Sequence, residues 1–164
     1  MDAFLHPGRP FFAAVLTICA GALAAALIGE HVFGLRPCVL CLTERVPYVL
    51  AGAVAAAMAG LPTSPGLRRL GVLLVLLAAT ANAGISAYHV GVEQHWWASA
   101  VCEAPALDTG VDLMQALSTP QRPACDEVSF TLFGISLAGY NFLLSTALAA
   151  FAAAALSGNR RRQP

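Results

Sequence analysis

The chain has 164 residues, of which 58% are apolar and 11% charged, against roughly 45–50% and about 25% in soluble domains. Nine acidic residues balance nine arginines, and lysine is absent. So few charges cannot supply the polar shell of a soluble core this size, and zero net charge removes the electrostatic footprint of a nucleic-acid binder.

Four apolar stretches are long enough to matter. Phe11 to Ile28 carries no charge. It exceeds the roughly 7–15 apolar residues of a secretory signal core, so it is expected to persist as a span despite the small-residue site at Ala22-Leu23-Ala24. Val46 to Leu61 is short against the ~20 residues a bilayer demands. It reaches that length only by extending back through Cys41 and Leu42, which places Glu44 and Arg45 near the membrane surface. Leu70 to Val90 is interrupted only by mild polar residues, among them Asn82, Ser86 and His89. Phe133 to Leu156 completes the set. The expectation is an all-α membrane protein, one integral domain over 1–164. Its spans fall near 11–29, 43–61, 70–90 and 133–156, and its outer loops at 30–42 and 91–132.

Polar groups inside these runs are costly in lipid, so Asn82 and Asn141 are expected to face the bundle interior. Small residues at Ala79, Ala83 and Gly84 on the third run, and at Gly134, Ala138 and Gly139 on the fourth, permit close helix contact.

The arginines orient the chain. Arg9, Arg68, Arg69, Arg160, Arg161 and Arg162 fall on one side of four alternating spans. Arg36 and Arg122 fall on the other, with Arg45 at its boundary. The positive-inside rule assigns the first group, and both termini, to the cytoplasm. Trp96 and Trp97 follow the third span, where interfacial aromatics belong.

Five cysteines are present: Cys19, Cys38, Cys41, Cys102 and Cys125. Cys19 lies within an apolar run and reads as a small buried residue. The other four all fall outside, as two redox-capable pairs. Cys38 and Cys41, separated by Val39-Leu40, can close a small reducible ring or form half of a zinc site. Zinc needs two further ligands, and Cys102 and Cys125 are widely spaced for a compact site, so no metal is expected. With Pro47 best tolerated in a first turn, the second span is expected to start near Thr43 or Glu44. Cys41 then precedes a helix N-terminus, whose free N–H groups favour a thiolate. If the helix begins earlier, Cys41 and Arg45 share one face four residues apart. Either arrangement brings positive potential to Cys41. His89, His95 and Glu93 read first as interfacial or loop residues.

Between Cys102 and Cys125, the residues Leu107, Val111, Met114 and Leu117 recur at helical spacing behind Asp108 and Thr109 as caps. This reads as a short amphipathic helix on the outer membrane surface. A disulfide across this segment would add about 3–4 kcal/mol if its role were structural.

Three strings carry a resemblance. Pro37-Cys38-Val39-Leu40-Cys41-Leu42-Thr43-Glu44-Arg45, the stretch Tyr88 to Trp97, and Phe133-Gly134-Ile135-Ser136 opening the fourth span resemble the disulfide bond formation protein B (DsbB) family over nearly the whole chain. The resemblance implies a four-helix bundle with a membrane-lying periplasmic helix in the bacterial inner membrane. It implies an enzyme that re-oxidises a periplasmic DsbA-type thioredoxin-fold protein and passes the electrons to the membrane quinone pool, ubiquinone or menaquinone. By the same resemblance Cys102 and Cys125 form the disulfide the partner attacks, with the mixed disulfide at Cys102. Cys125 then exchanges with Cys38, and Cys41 and Arg45 stand beside the quinone, with His89 a further candidate contact. Two other readings stay open. One is a membrane scaffold with two structural disulfides. The other is a vitamin K epoxide reductase-like enzyme, whose CxxC is expected late in the bundle rather than before the second span.

Overall fold

The computed structural model describes residues 8–99, 102 and 124–160. The amphipathic segment at 106–117, together with Arg122, Arg161 and Arg162, lies outside the described residues. Helix α1 runs Arg9–His31, α2 Val39–Thr43, α3 Arg45–Gly60, α4 Pro65–Glu93 and α5 Leu137–Arg160. Among the described residues, four helical stretches are long and apolar enough to cross a membrane: Arg9–His31, Val39–Gly60, Pro65–Glu93 and Leu137–Gly158.

The second of these contains α2 and α3. Glu44 keeps helical angles between them, with φ −64° and ψ −21°. The hydrogen-bond ladder opens there because Pro47 has no N–H to offer the Thr43 carbonyl. The helical path therefore starts at Val39, earlier than the Thr43 or Glu44 that Pro47 suggests. Ser64 caps α4 through its Oγ, which accepts the Leu67 N–H at 3.3 Å, and Pro65 follows. Arg68 and Arg69 consequently sit in the first turns of α4, which starts before the expected residue 70.

The fourth helix starts later than residue 133. Thr131–Leu132 (β1) pairs antiparallel with Ile135–Ser136 (β2). The two-residue connection, Phe133 at φ 50° and Gly134 at φ 78°, has the double positive φ of a tight hairpin turn. Ser136 then accepts the Gly139 N–H at 3.1 Å and opens α5. Phe133 is 91% exposed. The apolar run at 133 thus records a hairpin tip and not a helix start.

The helices alternate in direction. Contacts tie the end of α1 to the start of α3 through Glu30 and Arg45, and the end of α4 to Ser136, the residue before α5, through Glu93. At the opposite end Phe11 stacks on Phe151 with ring centroids 5.0 Å apart. Phe11, Phe12, Val15, Cys19, Ala55, Val72, Val75 and Ala152 belong to one buried core. Gly71 lets α4 approach closely, since a Cβ there would lie 2.8 Å from Met58 Cγ and 3.2 Å from Phe12 Cζ. The arginine-bearing residues 9, 68 and 69 lie at this core end, and the paired cysteines lie at the other.

Of the small residues expected between the third and fourth helices, Ala79 and Ala138 are buried. Gly84 is exposed, with open space where a methyl group would stand, and Gly134 belongs to the hairpin turn. Cys19 is a free, buried thiol of the apolar core.

Candidate functional site

At the other end, Cys38, Leu40, Val92 and Cys125 form a second buried cluster, with Cys41 and Cys102 packed against it. All four sulfurs singled out in the sequence therefore converge. Cys102 and Cys125 are joined by a disulfide whose Cα atoms are 5.6 Å apart, while Cys38 and Cys41 are free thiols.

Cys38 is the N-cap of α2, and its Sγ accepts the Cys41 N–H at 3.1 Å. The terminal N–H thus serves Cys38, not the Cys41 thiol expected to benefit. The Cys38 thiol is drawn below its ordinary range, chiefly by hydrogen bonding from the Cys41 side chain and also from its N–H, against the opposing effect of burial.

His89 is 3% exposed, so the loop or interfacial reading fails for it. Its Nε2 lies 3.6 Å from Cys38 Sγ. Its Nδ1 lies 2.9 Å from Glu44 Oε1, and a carboxylate there fixes the proton on Nδ1. Nε2 is left as the nitrogen facing sulfur. Glu44 is 6% exposed. Its position at the ladder opening between α2 and α3 turns it inward. Its second oxygen accepts the Asn141 Nδ2–H at 2.7 Å.

Asn141 continues the network. It donates also to Ser86 Oγ at 2.9 Å and accepts the Tyr48 hydroxyl at 2.6 Å. Tyr48 lies 3.0 Å from Ser145 Oγ, which accepts Asn82 Nδ2–H at 2.8 Å. Asn82 and Asn141 do face the interior, as their cost in lipid requires. Glu44, Tyr48, Ser86 and Ser145 are members that sequence reasoning missed. A charged residue next to an apolar span was the available signal for Glu44. Nothing in the sequence pairs it with His89, 45 positions away.

Arg45 reaches Glu30 Oε2 at 2.7 Å. Its guanidinium is held by a carboxylate of α1, a partner the helix-face argument did not supply. Glu93 is nearly buried and accepts the Ser136 hydroxyl at 2.5 Å. His95 keeps its loop character: it is exposed, with Nε2 3.9 Å from Asp126. Trp97 stacks on Tyr88 and donates its Nε1–H to the Tyr88 carbonyl at 3.2 Å. Gly91 makes room for it, since a Cβ there would fall 2.0 Å from Trp97 Cζ2.

A cavity of about 770 Å³ opens beside the thiols. Cys38, Cys41, Glu44, Arg45 and His89 line its polar end, and Ala22, Ala26, Leu35, Phe130 and Leu144 are among its apolar walls. The cavity is thus amphiphilic, and the half-buried Cys41 is part of its wall.

Comparison with known proteins identifies the family. A family model described as "Disulfide bond formation protein DsbB" matches residues 8–155. Disulfide bond formation protein B of Azoarcus sp. (strain BH72) is 36% identical, over 99% of this chain and 100% of the relative. The protein of the same name from Aromatoleum aromaticum is 31% identical over 93% of this chain and 94% of its own length. That from Marinobacter nauticus is 35% identical over 80% and 82%. No solved structure matches the chain. With four helices fit to span a membrane and a family match over most of its length, the chain belongs to the DsbB family of disulfide bond formation proteins and is a multi-pass helical membrane protein.

Proposed function

We propose that this protein is a thiol:quinone oxidoreductase of the bacterial inner membrane. It re-oxidises a periplasmic DsbA-type dithiol protein and delivers the electrons to ubiquinone or menaquinone. One observation carries the reading: four cysteines meet in a single buried cluster whose Cys41 borders an amphiphilic cavity.

The cavity fits the acceptor's chemistry. An apolar wall suits an isoprenoid tail, and the polar end offers hydrogen-bonding groups to a ring oxygen. A bound quinone supplies a two-electron, two-proton acceptor. Cys41, Arg45 and His89 are the residues that would hold its ring.

The protein's own steps are thiol–disulfide exchanges. A partner thiolate attacks Cys102, breaking the Cys102–Cys125 bond and leaving a Cys125 thiolate. The partner's second thiol closes its own disulfide and releases Cys102. Cys125 attacks Cys38 of an oxidised Cys38–Cys41 pair and frees Cys41; Cys102 then re-forms its bond with Cys125. The two electrons taken from the partner now reside on Cys38 and Cys41, the redox arrangement of the described structure. His89 Nε2, aimed at Cys38 and backed by Glu44, accepts the Cys38 thiol proton when the reduced pair is next oxidised. Burial of the cluster excludes water from these exchanges. The arginine-bearing end of the bundle supports a cytoplasmic placement of both termini, with the cysteines periplasmic.

The test is reconstitution of the full chain with quinone and reduced partner, following quinol formation. Turnover is expected, abolished in Cys41→Ser and Cys38→Ser and slowed in Arg45→Ala. Absence of turnover with a competent partner and saturating quinone would refute the reading. A Cys125→Ser variant should trap the partner through Cys102.

A further inference from the structure

We propose that the reduced Cys38–Cys41 pair, with His89, is a binding site for a thiophilic divalent ion of the zinc type.

The donor atoms Cys38 Sγ, Cys41 Sγ and a ring nitrogen of His89 lie within 4.8 Å of one another. Cys38 Sγ and His89 Nε2 are 3.6 Å apart. A tetrahedral ion with Zn–S of about 2.3 Å and Zn–N of about 2.0 Å spans an S···N edge of roughly 3.5 Å. That edge already exists, and Cys41 Sγ, within 4.8 Å of both atoms, is the third donor of the face.

The surroundings have the properties of a metal site. Glu44 accepts from the far nitrogen of the imidazole, and Asn141 donates to the other oxygen of Glu44. This carboxylate–histidine arrangement fixes the tautomer that leaves Nε2 free and raises its basicity. Cys38 and His89 are buried, so an ion there sheds its water for ligands it prefers. The cavity beside Cys41 supplies the entry path and an open fourth position. Arg45, one of two arginines that line the cavity, is paired with Glu30, which offsets its repulsion of a second cation. Two thiolates and an imidazole select zinc, cadmium or cobalt over magnesium and calcium. This is a different donor set from the four-cysteine site weighed in the sequence, because Cys102 and Cys125 are occupied by each other.

Loading releases one proton from each thiol as the ion binds, and no atom changes oxidation state. Both electrons stay on the sulfurs, and the pair cannot close its disulfide until the ion leaves. A soft metal therefore arrests the reduced pair.

The test uses the full chain carrying Cys102→Ser and Cys125→Ser, reduced, in detergent micelles, titrated with Co²⁺. The expected result is about one ion per chain, with thiolate-to-cobalt absorption in the near ultraviolet and tetrahedral visible bands, displaced by Zn²⁺ and not by Mg²⁺. Cys38→Ser and Cys41→Ser, near-isosteric changes that keep the fold, should each remove much of the thiolate absorption. Glu44→Gln should weaken binding about 10- to 100-fold, the usual effect of losing a ligand's supporting group, and His89→Ala at least as much. Cobalt spectra without thiolate absorption, or binding unaltered in Cys38→Ser and His89→Ala, would overturn the proposal. Quinol turnover is a separate readout: its absence would refute the oxidase reading and leave the cobalt titration standing, and the reverse also holds.

Discussion

The two ends of the bundle are held together by different physics. At the arginine-bearing end the helices meet by packing: Phe11 on Phe151, Phe12 and Met58 over Gly71, valines and alanines between. Lipid tails are as apolar as these side chains, so only close packing favours helix over lipid there. At the cysteine end the helices are joined by hydrogen bonds that run from Glu44 to His89 and Asn141, and on through Tyr48 and Ser145 to Asn82. Such groups are expensive in a membrane unless satisfied. The apolar end brings helices together by packing, whereas the polar end is arranged around the thiols it surrounds.

Removing the centre of the polar end should have the largest effect. Glu44→Ala strands the His89 and Asn141 donors, and should cost on the order of 3–5 kcal/mol in unfolding from mixed micelles, with loss of quinol formation. Retention of both would show that the network is incidental. Gly71→Val attacks the other end. Overpacking against Met58 and Phe12 should cost about 1–3 kcal/mol while the turnover per folded molecule stays at the parent level. A matching loss of turnover would mean that the two ends are not separable. Tyr48→Phe keeps the ring and deletes only the hydroxyl. A loss of about 0.6 kcal/mol, and no more than about 1.7, is expected in the same unfolding assay, as for other interhelical hydrogen bonds in membranes. Glu30→Gln should change stability least, by roughly 0.2–1 kcal/mol, because the Arg45 pair is partly exposed. Its informative readout is the KM for quinone, which should change if the released guanidinium turns into the cavity.

The legible parts of the molecule were those written in long runs or short spacings. Apolar length located four helices, and arginine placement separated the two ends. Cys38 and Cys41 announced themselves by a two-residue gap, and Asn82 and Asn141 by being polar within apolar runs. Boundaries were less legible: the Phe133-Gly134 turn continues an apolar run, and only its backbone angles separate hairpin from helix. Pro47 marked an interruption but not its position, since the missing hydrogen bond belongs to Thr43, four residues earlier. The site's central contact was hidden for a more general reason. His89 and Glu44 come together through tertiary packing of α4 against the α2–α3 joint, and neither residue's local pattern reports the other. Arg45 was noticed for its charge, yet its partner Glu30 depends on how α1 ends.

Glu44, finally, bears on how the chain is made. Its carboxylate bonds to residues 45 and 97 positions further along, so its partners reach the bilayer only after it does. Each helix entering lipid alone carries a polar group without its eventual mate, which makes it a poor guest there. Docking of the last helix, which brings Asn141, completes the set. The site is therefore completed in the order of the spans, and a chain that has not yet inserted α4 holds its thiols without the histidine that faces them.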